Sequence, residues 1–183
     1  MKRSYRIALL AVTVVVAVPL LAVLIHARFY PQRPFWPVTT PDVRDWSTVK
    51  IRLSRSTCLG ICSDYSIEIS GNGTAQYEGR HFVSVTGKQQ IKIPPQDVHK
   101  LFAAFQDADF LWFRNHNPGC LDTQVNKLTL SYDGRSKTIT YDDCSAPPLA
   151  KLIILGQAVD QAANTKQWIG TGPIDAMRKL GVQ

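Results

Sequence analysis

Val49, Ile51 and Leu53 alternate with Lys50 and Arg52, the period-two pattern of a strand that buries one face. Tyr65, Ile67 and Ile69 repeat it against Ser66, Glu68 and Ser70. Gly71-Asn72-Gly73 then supplies residues that tolerate positive φ, and Ala75 and Tyr77 return as the second arm of a hairpin. A further strand pair is predicted at Phe82–Val85 and Gln90–Ile93, turning near Gly87. Pro94-Pro95 ends the pair and opens a helix, because proline suits the first helical turn. Val98, Leu101, Phe102, Phe105 and Ala108 fall on one face of that helix.

A second cycle follows. Leu128, Leu130 and Tyr132 alternate, Asp133-Gly134 makes a hairpin turn, and Ile139 and Tyr141 come back. Pro147-Pro148 opens another helix carrying Leu149, Leu152, Ile153, Leu155 and Val159. Each cycle reads hairpin, Pro-Pro, amphipathic helix and tryptophan (Trp112, Trp168), a degenerate two-fold pattern without letter identity between the halves. Ile174 to Leu180 has the length of a short terminal helix. The predicted fold is α+β: an antiparallel sheet of five to six strands with two helices packed on one face.

Ahead of the domain the pattern changes. Ile7 to Ile25 is an uncharged apolar run behind the basic head Lys2-Arg3-Ser4-Tyr5-Arg6. Nineteen helical residues cover about 28 Å, close to a ~30 Å hydrocarbon core, and a membrane helix can absorb Pro19 as a kink. The run is longer than the ~7–15 residues of a signal peptide, and Ile25-His26-Ala27 is a poor cleavage site. The sequence therefore predicts one uncleaved N-terminal transmembrane helix. The positive-inside bias keeps the head cytoplasmic and exports everything after His26. From Arg28, four prolines in eleven residues (Pro31, Pro34, Pro37, Pro41) favour a stiff extended linker. The expected organisation is a basic head over 1–6, an anchor over 7–26, a linker over 27–47, the α+β domain over 48–170 and a tail over 171–183. The anchor would hold the lipid bilayer of a bacterial inner membrane, with the domain in the periplasm.

Charge adds little to this picture. The chain has a formal net charge of +7, with 21 basic and 14 acidic residues. Three of the basic residues are the head, which leaves 18 against 14 from Arg28 onward. Neither a basic cluster nor an arginine stripe follows, so nucleic acid is not an expected partner.

The four cysteines carry the richest chemistry: Cys58, Cys62, Cys120 and Cys144. An even number in an exported domain favours disulfides, and of three possible pairings the favoured one is Cys58–Cys62 with Cys120–Cys144. Cys58 and Cys62 share a turn, and the other two each lie just outside the second hairpin. Two other readings stay open. Cys-x3-Cys is within zinc-ligand spacing, with His116 near Cys120, although thiolates outside the cytosol tend to oxidise. A redox-active pair at Cys58 and Cys62 would need a lowered thiol pKa, commonly from a helix N-terminus, whereas this pair falls between strands.

Cys58-Leu59-Gly60-Ile61-Cys62-Ser63-Asp64-Tyr65, then Gly71-Asn72-Gly73 and Tyr77-Glu78-Gly79, resembles the C-x-G-x-C-P-x-Y…G-x-G…Y-x-G signature of the domain of unknown function 6438 family. Ile93-Pro94-Pro95, Asp109-Phe110 and Asp122 echo its later pattern, so the resemblance spans about residues 48 to 170. Ser63 stands where the family usually has proline, and Cys120 and Cys144 are outside the signature. The family brings no established activity. Its motif does single out Gly60 and Tyr65 as a candidate functional turn.

The remaining candidates have plain readings. Asp142-Asp143 could hold a cation or act as a base with Asp122, but adjacent strand residues point to opposite faces, and an exposed turn pair is the simpler expectation. His81 and His99 are isolated, and Ser54 and Ser56 lack an accompanying base. Gly71-Asn72-Gly73 and Gly170-Thr171-Gly172 do not form a phosphate cradle, and Trp112, Phe113 and Trp168 read as core. The expected role is non-enzymatic: a disulfide-stabilised, membrane-anchored periplasmic module that binds an envelope protein or peptide, with no cofactor or metal. The alternative is a thiol-disulfide redox or metal-handling protein built on Cys58 and Cys62.

Overall fold

Six antiparallel strands form one sheet in the order β4-β3-β2-β1-β5-β6. They are β1 Lys50–Arg55, β2 Asp64–Ser70, β3 Thr74–His81, β4 Gly87–Lys92, β5 Val125–Tyr132 and β6 Arg135–Asp142, with helices α1 Pro95–Asp107, α2 Ala150–Ala162 and α3 Lys166–Ile169. The computed structural model describes residues 17–25, 28, 42–113, 119–142 and 150–170. The chain divides into two compact units, Met1–Thr39 with Trp112–Arg114, and Thr40–Leu111 with Asn115–Gln183. In the first, residues 17–25 are helical and their apolar side chains, Leu20, Leu21 and Leu24 among them, are exposed. Most of the apolar run lies outside the described residues, and no described helix is long and apolar enough to cross a membrane. The tail over 171–183 and the helix expected at Ile174–Leu180 also lie outside them.

The second unit is the α+β fold that the hydrophobic pattern predicts. Ile51 and Leu53 on β1 face Ile69 and Ile67 on β2, and Leu130 and Leu128 on β5, so one face of the central three strands is aliphatic. Val98, Leu101, Phe102 and Phe105 bury the inner face of α1. Leu152, Leu155, Gly156 and Val159 do the same for α2. Phe102 meets Tyr132 of β5 edge-to-face at 5.0 Å, and a Cβ on Gly156 would lie 2.6 Å from the Tyr141 hydroxyl and 3.8 Å from Leu53 Cδ1. Tyr132, Tyr141 and Leu53 share a sheet face by register, so both helices cover the same side. The opposite face is polar. Arg80 there forms an ion pair of 2.6 Å with the otherwise buried Asp64, and Thr129 and Ser131 hydrogen-bond Thr138 and Ser136.

Four strands precede α1 and only two lie between α1 and α2, so the two cycles are unequal. Phe82–Val85 is not the expected strand. Phe82 has φ 53, and the N–H groups of Ser84 and Val85 donate to the carbonyls of Ile169 and Trp168 at the end of α3. β4 pairs instead with β3, Gln90 opposite Gln76.

The two ends of the sheet differ. One holds the tight turns: Gly71–Gly73, and Asp133-Gly134, where both residues have positive φ. The chain enters the domain at this end. The Asp133 carboxylate accepts from the N–H groups of Arg44 and Asp45 at 2.7 and 3.1 Å, while Trp46 stacks on His99 at 3.7 Å. The other end holds the longer connections, 56–63, 82–86 and 119–124.

Candidate functional site

At that loop end the inward-facing register of β1 continues from Ile51 and Leu53 to a charge, Arg55. The register of β5 likewise continues to Asn126, and α2 brings Asp160 one turn beyond Gly156. Burial of these groups requires partners, and each has them. Arg55 donates from Nε to the Tyr65 hydroxyl at 2.9 Å, from Nη1 to Asn126 Oδ1 at 2.8 Å and from Nη2 to Asp160 Oδ2 at 2.8 Å. Asp160 Oδ1 accepts from the Tyr65 and Thr165 hydroxyls at 2.8 and 2.9 Å. Burial lowers the pKa of Arg55, but Tyr65 and Asp160 outweigh it and the net shift is upward. Tyr65 is also pushed up, by burial first and then by Asp160, against an opposing effect of Arg55. Both groups therefore keep one protonation state across the physiological range.

An open pocket of ≈ 490 Å³ lies over this network. Arg55, Tyr65 and Asp160 form its polar side, and Ile61, Cys62 and Ile169 contribute apolar surface. Gln124 also lines it and fastens both feet of the 56–63 loop, its Nε2 donating to the carbonyls of Ser56 and Ser63 at 3.0 and 2.7 Å. A depression of ≈ 450 Å³ on the outer face differs in kind. Its Glu68 and Glu78 lie 3.8 to 4.0 Å from Lys50, Arg52 and Arg80, solvated pairs that define little.

Cys58 and Cys62 are joined in a disulfide, Cα–Cα 5.5 Å, and the Gly60 N–H donates to Cys58 Sγ at 3.3 Å. Leu59 at the loop tip is 83 % exposed, and Leu121, in the neighbouring connection, 90 %. Cys120 is disulfide-bonded too, and the cysteine that remains, Cys144, lies outside the described residues. Of the two candidate turn residues, Tyr65 is buried in the polar network and Gly60 is exposed.

Asp142 is not an exposed turn residue. It is fully buried at the end of β6, and its Oδ2 accepts from the N–H groups of Gly119 and Cys120 at 2.9 and 3.2 Å. Asp122 is exposed, whereas Asp143 and His116 lie outside the described residues. His81 ends β3 in solvent, and Trp168 is buried against Tyr77 with ring centres 4.7 Å apart. Among the described residues no three His, Cys, Asp or Glu side chains form a metal-binding group.

Sequence reasoning missed Arg55, Asn126, Asp160 and Thr165. The signal was available: Arg55 and Asn126 occupy positions that the strand alternation assigns to the core, where a polar side chain needs a partner.

The signature glycines, by contrast, have local steric reasons. A Cβ on Gly71 would lie 1.8 Å from the Trp46 carbonyl oxygen. One on Gly73, at φ +80, would lie 2.2 Å from the Ile93 oxygen, and one on Gly79 2.3 Å from the Val85 oxygen. Gly79 thereby leaves room for the Tyr77 hydroxyl to donate to that same oxygen at 3.2 Å. Gly60 has no such reason, since its Cβ would meet only Cys58 Sγ at 3.6 Å.

Comparison with curated proteins finds no match. The family described as Domain of unknown function (DUF6438) matches residues 49–163, from the residue before β1 to the residue after α2. With most of the chain inside that match, the protein belongs to the DUF6438 family.

Proposed function

We propose that the protein is a membrane-anchored binding module of the bacterial envelope. The apolar run Ile7–Ile25 would hold it in the inner membrane, and the α+β domain would present its loop end to a protein or peptide partner in the periplasm. The observation that carries this reading is the arrangement at that end. Leu59 protrudes from a disulfide-closed loop beside an open pocket whose charged groups are already bonded to one another. Asp160 accepts three hydrogen bonds and Arg55 donates three, so they favour a fixed surface over proton transfer. Leu59 and Leu121 together leave apolar surface at this end for a partner to cover. Arg44 and Asp45, where the domain begins, are held by Asp133 at the opposite end of the sheet.

Two measurements test the proposal. Alkaline phosphatase fused after Gln183 should be active in cells, and inactive if the domain stays in the cytoplasm. A photo-crosslinking residue at position 59 should yield one discrete envelope adduct that Tyr65→Phe weakens. Equal adducts from position 138, on the polar sheet face, would overturn the assignment of the loop end.

A further inference from the structure

The Cys58–Cys62 bond closes a loop whose feet are already fastened without it. Besides the two Gln124 bonds, the Ser56 N–H donates to the Val125 carbonyl at 3.0 Å, and the Val125 N–H donates to Ser56 Oγ at 3.1 Å. Asp64 at the start of β2 is held by Arg80, with Arg80 Nε donating to its Oδ1 at 2.7 Å. The disulfide therefore shapes only the tip, Leu59–Ile61. Its two sulfurs also differ. Cys62 lines the open pocket, whereas Cys58 Sγ receives the Gly60 N–H. A donor aimed at one sulfur favours the thiolate there, and a better-stabilised thiolate is the better leaving group in exchange.

We infer that Cys58–Cys62 is a reversible dithiol–disulfide switch that resets the tip loop and, with it, the wall of the pocket. A thiolate of an incoming thiol donor, such as glutathione or a protein dithiol, bonds to Cys62 Sγ. The Cys58–Cys62 bond breaks, and its electron pair stays on Cys58 Sγ beside the Gly60 N–H. A second donor thiolate then attacks the mixed disulfide and releases Cys62. The donor leaves oxidised by two electrons, and this chain, taking up two protons, carries two thiols. Because the feet of the loop stay bonded, the switch changes how Leu59 and Ile61 are presented while the sheet persists. The inference concerns chemistry internal to the domain and stands whether or not the envelope partner proposed above exists.

The test is to equilibrate the purified full chain with graded mixtures of reduced and oxidised glutathione, trap thiols by alkylation and read each cysteine by mass spectrometry. The expected result is a Cys58–Cys62 exchange constant at least tenfold more favourable to the dithiol than that of the Cys120 disulfide, about 30 mV for a two-electron couple. Circular dichroism should stay unchanged at the mixture that reduces Cys58–Cys62 alone. Gln124→Ala should leave the oxidised protein folded, and make amides of residues 56–63 exchange at least tenfold faster only after reduction. Reduction of both disulfides at the same mixture, or loss of the folded spectrum when Cys58–Cys62 opens, would overturn the inference. So would equal amide exchange in the oxidised and reduced Gln124→Ala protein.

Discussion

The Tyr65 hydroxyl donates to Asp160 Oδ1 at 2.8 Å, joining β2 to the last turn of α2 across 95 residues of sequence. Arg55 bonds both partners, so the three side chains act as a clasp between sheet and helix. Asp160→Ala leaves Arg55 charged in a site where only 15 % of its side chain is exposed. The expected loss is about 3 kcal/mol, the low end for breaking a buried pair. Tyr65→Phe removes hydrogen bonds without removing the charge and should cost about 1–2 kcal/mol. Urea unfolding of both single variants and the double should show non-additivity, and independent effects would disprove the clasp.

Glycine substitutions should divide into two sets. Gly71→Ala and Gly79→Ala drive a Cβ into backbone oxygens, at 1.8 and 2.3 Å, and should each destabilise by about 1–3 kcal/mol or more. Gly60→Ala, which meets only a sulfur at van der Waals distance, should stay within about 0.5 kcal/mol. Melting temperatures of the three variants check this directly. A large effect at Gly60 would mean that its place in the signature is structural after all.

The Asp133 carboxylate is held below its usual range, chiefly by the Arg44 N–H, then by the Asp45 N–H and the Thr48 hydroxyl, with desolvation opposing. A depressed folded pKa contributes stability that is present above the unfolded value, about 4, and is lost as pH falls through the folded value. Asp133→Asn keeps a residue that tolerates the turn's positive φ. It should therefore melt earlier than the parent at pH 6, and the gap should close as the pH drops toward 2. A gap that stayed constant with pH would show that the carboxylate's charge is irrelevant.

At the alkaline limb the sign reverses. Burial pushes Tyr77 up to about 12, with Arg80 opposing, so the neutral phenol is favoured in the fold. Its contribution is complete below the unfolded value of about 10 and is lost as pH rises through 12. Ultraviolet titration should show phenolate appearing later in the folded protein than in urea. Tyr77→Phe should remove part of that delay.

Alternation at Leu128, Leu130 and Tyr132, with Asp133-Gly134 behind it, locates a hairpin from the chain alone because its pairing and its turn are both local. α1 is legible for the same reason, its buried residues recurring at helical spacing behind Pro94-Pro95. Phe82-Val83-Ser84-Val85 also has strand-like composition, yet the Ser84 and Val85 N–H groups are claimed by α3, some 85 residues later, and no local pattern reports that contact. Asp142 is similar: its burial depends on Gly119 and Cys120 folding back over the end of β6. At the site, Tyr65 and Gly60 stood out through their motif, while Arg55, Asn126 and Asp160 were hidden. Each is an ordinary polar residue until register shows which way it points.

The segregation of short turns to one end of the sheet and long connections to the other gives the domain a division of labour. Substitutions at the tip of the 56–63 connection, Leu59–Ile61, alter what is displayed, while the contacts that seat the chain at Asp133 lie at the opposite end of the sheet. The tip can thus vary without disturbing the Asp133 turn. The fold is in that sense a ready-made scaffold for grafting a new tip between Cys58 and Cys62.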